Sequence, residues 1–104
     1  YELGEELWNE YPFSTTINGV PYTLKNIAKK YDSIEDFFRA YGKAIHYDET
    51  KHKHIIELLK WARDNTSYVC FNICEFVISR KWEEIEKLKS GEIGTINFNA
   101  VRAL

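Results

Sequence analysis

Apolar residues recur along most of this chain at the spacing of a helix rather than a strand. Leu3, Leu7 and Trp8 mark a short helix over Leu3–Asn9. Thr23 has the chemistry of an N-cap for a helix through Tyr31, with Leu24, Ile27, Ala28 and Tyr31 on one stripe. Ser33 followed by Asp36 reads as a capping box, and beyond it Ile34, Phe37, Phe38, Tyr41 and Ile45 share a face opposite Asp36, Arg39 and Lys43. Asp48 to Thr50 supply acid and cap for a long helix to about Asp64, whose apolar arc holds Ile55, Ile56, Leu58, Leu59 and Ala62. Asn65 is its stop, and His54 and Trp61, seven apart, flank the arc on one edge.

The segment Tyr68–Lys89 decides the architecture. Its first half is rich in Val, Ile, Phe and Tyr, which favours a strand. Plotted at 100° per residue, however, Cys70, Phe71, Cys74, Val77, Ile78, Trp82, Ile85 and Leu88 form one arc opposite Asn72, Glu75, Ser79, Glu83 and Glu86. The expectation is one continuous helix over 67–89, ended by Ser90-Gly91 and running through the domain centre. Period-2 structure is expected near the N-terminus, where Asn18-Gly19 sits between β-formers of Phe13–Tyr22. Both residues accept the positive φ of a type I′ hairpin turn, and Pro21 confines its strand to an edge. Gly94–Phe98 is expected to add a strand beside the hairpin, and Ala100–Leu104 to begin a helix. The fold class is therefore mainly α, a small bundle of about four helices with a short N-terminal β-hairpin.

Composition narrows the picture further. The 104 residues are 44% hydrophobic, 15% aromatic and 29% charged, enough for one core without staples and too apolar for disorder. With no internal repeat or Pro/Gly-rich linker, residues 1–104 read as one compact domain. A formal charge of -2 supplies no basic field for nucleic acid. No run approaches the ~20 apolar residues of a membrane span, and no charged-then-apolar leader is visible. The chain starts at Tyr1 and has no methionine, which fits a trimmed start. Cys70 and Cys74 are one helical turn apart, a spacing that rarely closes a disulfide, so free buried thiols in a reducing cytosol are expected. The location expected is cytoplasmic. Lys over Arg, with frequent Asn, Ile and Tyr, suggests an AT-rich coding genome and, by association, a bacteriophage or mobile element.

Motif chemistry is sparse. The chain has no Gly-rich phosphate loop, G-x-S-x-G, H-E-x-x-H or C-x-x-C. His46, His52 and His54 lie near Asp48 and Glu49, but His52 and His54 point about 200° apart on a helix, so no metal site and no cofactor are expected. The stretch Arg39-Ala-Tyr-Gly-Lys-Ala-Ile-His46 resembles the R-x6-H element of HEPN-type ribonucleases. That resemblance implies an Arg and a His on one helix, with dimerisation assembling the pocket. It departs from the family at Ala40, where a polar residue usually follows the Arg. Residues Leu24–Tyr41 look partly like a helix-turn-helix, with Ile27, Ala28 and Phe38 at packing positions. Its turn, Asp32-Ser33, lacks Gly, and the second helix opens Ile34-Glu35-Asp36, acid where a groove-entering helix needs donors.

The unusual feature is aromatic content: three Trp, seven Tyr and six Phe, more than the core of so short a chain is expected to take up. Partly exposed Trp and Tyr flanked by charge are what protein-docking surfaces use. Trp8, Tyr11, His54 and Trp61 are the candidate partner-binding residues, and no catalytic residue is assigned. The expectation is a non-catalytic cytosolic protein that acts on another protein, as inhibitors, immunity factors and regulatory subunits do. Two alternatives stand beside it: a nucleic-acid-binding module on the helix-turn-helix-like pair in residues 24–46, and a dimeric ribonuclease using Arg39 and His46. The first needs a basic face built from Lys25, Lys29, Lys30, Lys43, Lys51 and Lys53. Self-association into a homodimer is compatible with all three.

Overall fold

A computed structural model describes residues 1–65 and 71–92. Helix α1 (Glu2–Glu10) leads into a hairpin of β1 (Ser14–Ile17) and β2 (Val20–Thr23). Four helices follow: α2 (Ile34–Ala44), α3 (Glu49–Asn65), α4 (Ile73–Ile78) and α5 (Trp82–Ser90). The mainly α class with an N-terminal hairpin is thus as the sequence predicts. No helix among the described residues is long and apolar enough to cross a membrane.

The local signals act where they were placed. Asn18 and Gly19 have φ of 52° and 80°, and the two strands pair Ser14↔Thr23 through Ile17↔Val20. Ser33 Oγ accepts from the Asp36 N–H at 3.2 Å to open α2. Asp48 Oδ1 accepts from the N–H groups of Thr50 and Lys51, capping α3. Gly91, at φ 82°, closes α5 with its own N–H and that of Glu92 turned back onto the last turn. Buried side chains from all five helices meet in one cluster, including Leu7, Phe37, Ile55, Phe76 and Ile85.

Two predicted helices differ. Residues 24–31 form no helix, and Thr23 belongs to β2 rather than capping anything. The Leu24 N–H is spent on the Phe13 carbonyl and the Leu24 carbonyl on the Ile73 N–H, both at 2.8 Å, so the hairpin ladder and a contact with a distant segment take the groups a helix would use. Asn26 then accepts from the Ala28 N–H, and one turn over Ile27–Tyr31 is all that forms. The apolar stripe still packs inward at Leu24, Ile27 and Tyr31, while Ala28 is exposed. With the first helix absent, the helix-turn-helix-like pair is absent too.

Where the single helix over 67–89 is expected, the described residues 71–89 form two helices. Asn72, assigned to the solvated strip, is buried and caps α4: its Oδ1 accepts from the Cys74 N–H at 2.8 Å, and its Nδ2 donates to the Asn26 carbonyl at 3.0 Å. A second break falls at Ser79–Lys81, where Arg80 takes φ 50° and the Lys81 N–H returns to the Phe76 carbonyl at 2.9 Å. The bend leaves Ile78 exposed and folds Trp82 and Ile85 back into the core, Trp82 edge-on to Phe76 at 5.6 Å. Tyr68, Val69 and Cys70 lie outside the described residues, as do the expected tail strand Gly94–Phe98 and helix Ala100–Leu104; Cys74 is a free, buried cysteine.

Candidate functional site

Of the sequence-predicted docking residues, Tyr11 is a structural residue. It is 2% exposed, its hydroxyl donates to the Phe71 carbonyl at 2.6 Å, and its ring meets Phe76 edge-on at 5.1 Å. A partner has no access to it in this fold, because the short N-terminal segment lies against the core. Trp8 is half-buried, edge-on to Phe37 at 6.0 Å with Lys25 Nζ 5.4 Å over its ring. Trp61 is half-buried at the edge of the core, and His54 is exposed with Nε2 2.9 Å from Glu86 Oε2. Trp8 lies on the α2 side of α1, whereas His54 faces α5 from α3.

Arg39 and His46 do not share a helix. α2 ends at Ala44, and His46 follows in a left-handed conformation at φ 56°. The Arg39 guanidinium donates to Asp36 Oδ1 at 3.0 Å and to the Tyr1 hydroxyl, and lies 5.2 Å over the Tyr1 ring. His52, considered in the sequence as a metal ligand, is buried and bridges two elements. Its Nδ1 is 2.8 Å from the Tyr41 hydroxyl and its Nε2 2.8 Å from Glu6 Oε1. The Tyr41–His52–Glu6 chain has the connectivity of an acid–base relay, but its phenol is sealed from solvent. Burial, helped by the Glu6 carboxylate, pushes the Tyr41 hydroxyl above its ordinary value, so it stays protonated and ties α2 to α3. No group of three or more His, Cys, Asp or Glu suited to a metal occurs among the described residues.

A concave aromatic surface lies at the α1–α2 contact. Gly4 on α1 abuts Phe38 so closely that a Cβ there would sit 2.7 Å from the Phe38 Cα. On α2, a Cβ at Gly42 would lie 2.4 Å from the Tyr47 ring. Tyr47 reaches that position because His46 and Tyr47 are successive non-glycine residues at positive φ, 56° and 54°, with the Tyr47 N–H returned to the Gly42 carbonyl at 2.8 Å. Such backbone costs roughly 1–2 kcal/mol per residue, and strain of this kind clusters at functional sites. Tyr1, Phe38 and Tyr47, with Glu2, Leu3, Gly4, Gly42 and Glu49, line a groove of about 480 Å³. Tyr1 is 60% and Tyr47 57% exposed, unlike most of the chain's large apolar side chains. Sequence reasoning missed this site; the pointer was Gly42 inside an otherwise regular helical pattern, where a glycine costs about 1 kcal/mol relative to Ala.

A second depression, of about 280 Å³, lies between β2 and residues 26–30, lined in part by Tyr22, Lys29, Lys30, Asn72 and Cys74. Burial pushes the Cys74 thiol up to about 11, against a weaker lowering by Lys30, so it is a poor nucleophile at neutral pH. No known protein-family model, curated protein or solved structure matches this chain.

Proposed function

We propose that this protein is a non-catalytic module that acts by binding another protein, and that the groove of Tyr1, Phe38 and Tyr47 is where the partner docks. The observation that carries the reading is the pair of exposed tyrosines over a glycine floor, one of them held by strained backbone. Tyrosine offers a large amphipathic surface at low entropic cost, and a concave site lets a partner side chain lose its water on several sides. A protein inhibitor or regulatory subunit needs no more than this. Cytoplasmic residence and a phage or mobile-element source belong to the same reading, supported by the chain's thiols and residue usage alone.

The test is affinity capture from source-cell extract with three baits: the wild type, Tyr47→Ala and Trp61→Ala, each checked for fold by circular dichroism. The expected result is a protein retained by the wild type and Trp61→Ala and lost with Tyr47→Ala. Equal recovery by all three baits overturns the groove assignment. RNA cleavage by the purified protein that disappears in His46→Ala overturns the non-catalytic reading.

A further inference from the structure

We propose that the groove receives a cationic side chain, arginine or lysine, presented by a basic segment of the partner protein. This rests on the protein-binding reading above and names the chemistry of that same site. The lining of the groove combines three aromatic rings with two carboxylates, Glu2 and Glu49, and includes no lysine or arginine. Among the described residues, Glu2, Glu5 and Glu49 make no ion pair. Aromatic faces attract cations through the ring quadrupole, and carboxylates beside them reinforce the attraction.

The molecule contains its own instance of this recognition. The Arg39 guanidinium lies 5.2 Å over the Tyr1 ring while bonded to Asp36, so an aromatic-plus-carboxylate pair already holds one guanidinium at the margin of the groove. Arg39 is thereby ion-paired with Asp36 rather than with Glu2 or Glu49. Through Glu2 the groove continues into a shallower depression of about 380 Å³, lined by Glu2, Glu5, Glu6, Asn9 and Glu10. Glu6 is engaged by His52, and Glu10 lies 3.8 Å from Arg63, which leaves Glu2 and Glu5 to face an incoming chain. The surface is therefore aromatic at one end and acidic along its length, a match for a peptide with one anchored cation and a second further along. A nucleic-acid backbone would meet repulsion over the same path.

The experiment is an amide-resolved NMR titration of the whole chain with a short capped glycine–arginine peptide and with its glycine–glutamate counterpart, at low and near-physiological salt. The arginine peptide is expected to shift the amides of Gly4, Gly42 and Tyr47 at millimolar or lower concentration, and the glutamate peptide to leave them in place. The double variant Glu2→Gln/Glu49→Gln, which alters only exposed carboxylates, is expected to weaken binding about threefold to tenfold and to flatten its salt dependence. No shift with the arginine peptide, an equal response to the glutamate peptide, or undiminished binding by the double variant overturns the proposal. A captured protein that is lost on Tyr47→Ala but indifferent to Glu2→Gln/Glu49→Gln removes this inference and leaves the protein-binding reading standing.

Discussion

His52 shows how one residue changes meaning between sequence and structure. On a helical wheel it sits beside an apolar arc; in the fold it is 3% exposed, with both ring nitrogens engaged by Tyr41 and Glu6 from other elements. Nothing in the spacing of residues 41, 52 and 6 announces that meeting, because it depends on how three helices cross. The same burial makes stability sensitive to alkali. Tyr41 and Cys74 hold their protons more tightly when folded, Cys74 up to about 11 from an ordinary 9.0, and Tyr41 above an ordinary 10.0. Above those ordinary values the unfolded chain loses protons that the folded chain keeps, so stability must fall as pH rises. The loss is expected to begin near pH 9 with Cys74 and to steepen above 10 with Tyr41, to which half-buried Tyr31 adds in the same direction. Urea midpoints measured from neutral to strongly alkaline pH under reducing conditions check this. Cys74→Ala should remove the early limb and Tyr41→Phe part of the later one, while Tyr41→Phe also costs about 1–3 kcal/mol at neutral pH by orphaning the buried His52 Nδ1. A flat profile for the wild type would contradict the buried setting of both groups.

Elements governed by local chemistry were legible, and those governed by contacts between distant segments were not. The hairpin turn, the Ser33 and Asp48 caps and the Gly91 stop each need only a few neighbouring residues, and all four stand where the sequence predicts. The helix expected at 23–31 and the continuous helix expected at 67–89 are interrupted where the two segments meet, and the second is broken again at Ser79–Lys81. Leu24 bonds Ile73, and Asn26 bonds Asn72, so each segment surrenders helical hydrogen bonds to the other across 46 or more positions. Of the arc from Phe71 to Leu88, Phe71, Cys74, Val77, Trp82 and Ile85 are buried, Leu88 is partly buried and Ile78 is exposed. What periodicity could not report was the bend at Arg80, which lets those residues surround a core rather than extend past it. That bend places a β-carbon in left-handed backbone with no glycine to relieve it. Arg80→Gly is accordingly expected to stabilise the protein by about 1 kcal/mol, net of glycine's extra unfolded-state entropy. A rise in the urea midpoint at unchanged slope checks it, and a fall would mean that the Arg80 side chain holds the α4–α5 junction.

At the scale of the whole molecule, the groove proposed for docking is drawn from α1, α2 and the start of α3 together, a meeting that no count of aromatic residues could locate. Surplus rings were correctly expected at the surface, but Tyr11 went to the core, while Tyr47, in a segment read only for its acids and histidines, emerged beside Tyr1. Two glycines under this surface separate what holds the fold from what shapes the groove. At Gly4 an added Cβ meets the Phe38 backbone at 2.7 Å, so Gly4→Ala must push α1 away from α2 and is expected to destabilise by about 1–3 kcal/mol. At Gly42 the obstacle is the outer edge of the Tyr47 ring, which is more than half exposed and free to swing aside. Alanine also favours a helix interior by about 1 kcal/mol over glycine, offsetting the strain of moving that ring. Gly42→Ala is therefore expected to leave the urea midpoint within about 0.5 kcal/mol of wild type while displacing Tyr47 and abolishing capture of the partner. Thermal or urea unfolding run beside the capture assay decides it: a folded Gly42→Ala variant that retains the partner would show that the groove is not where binding occurs.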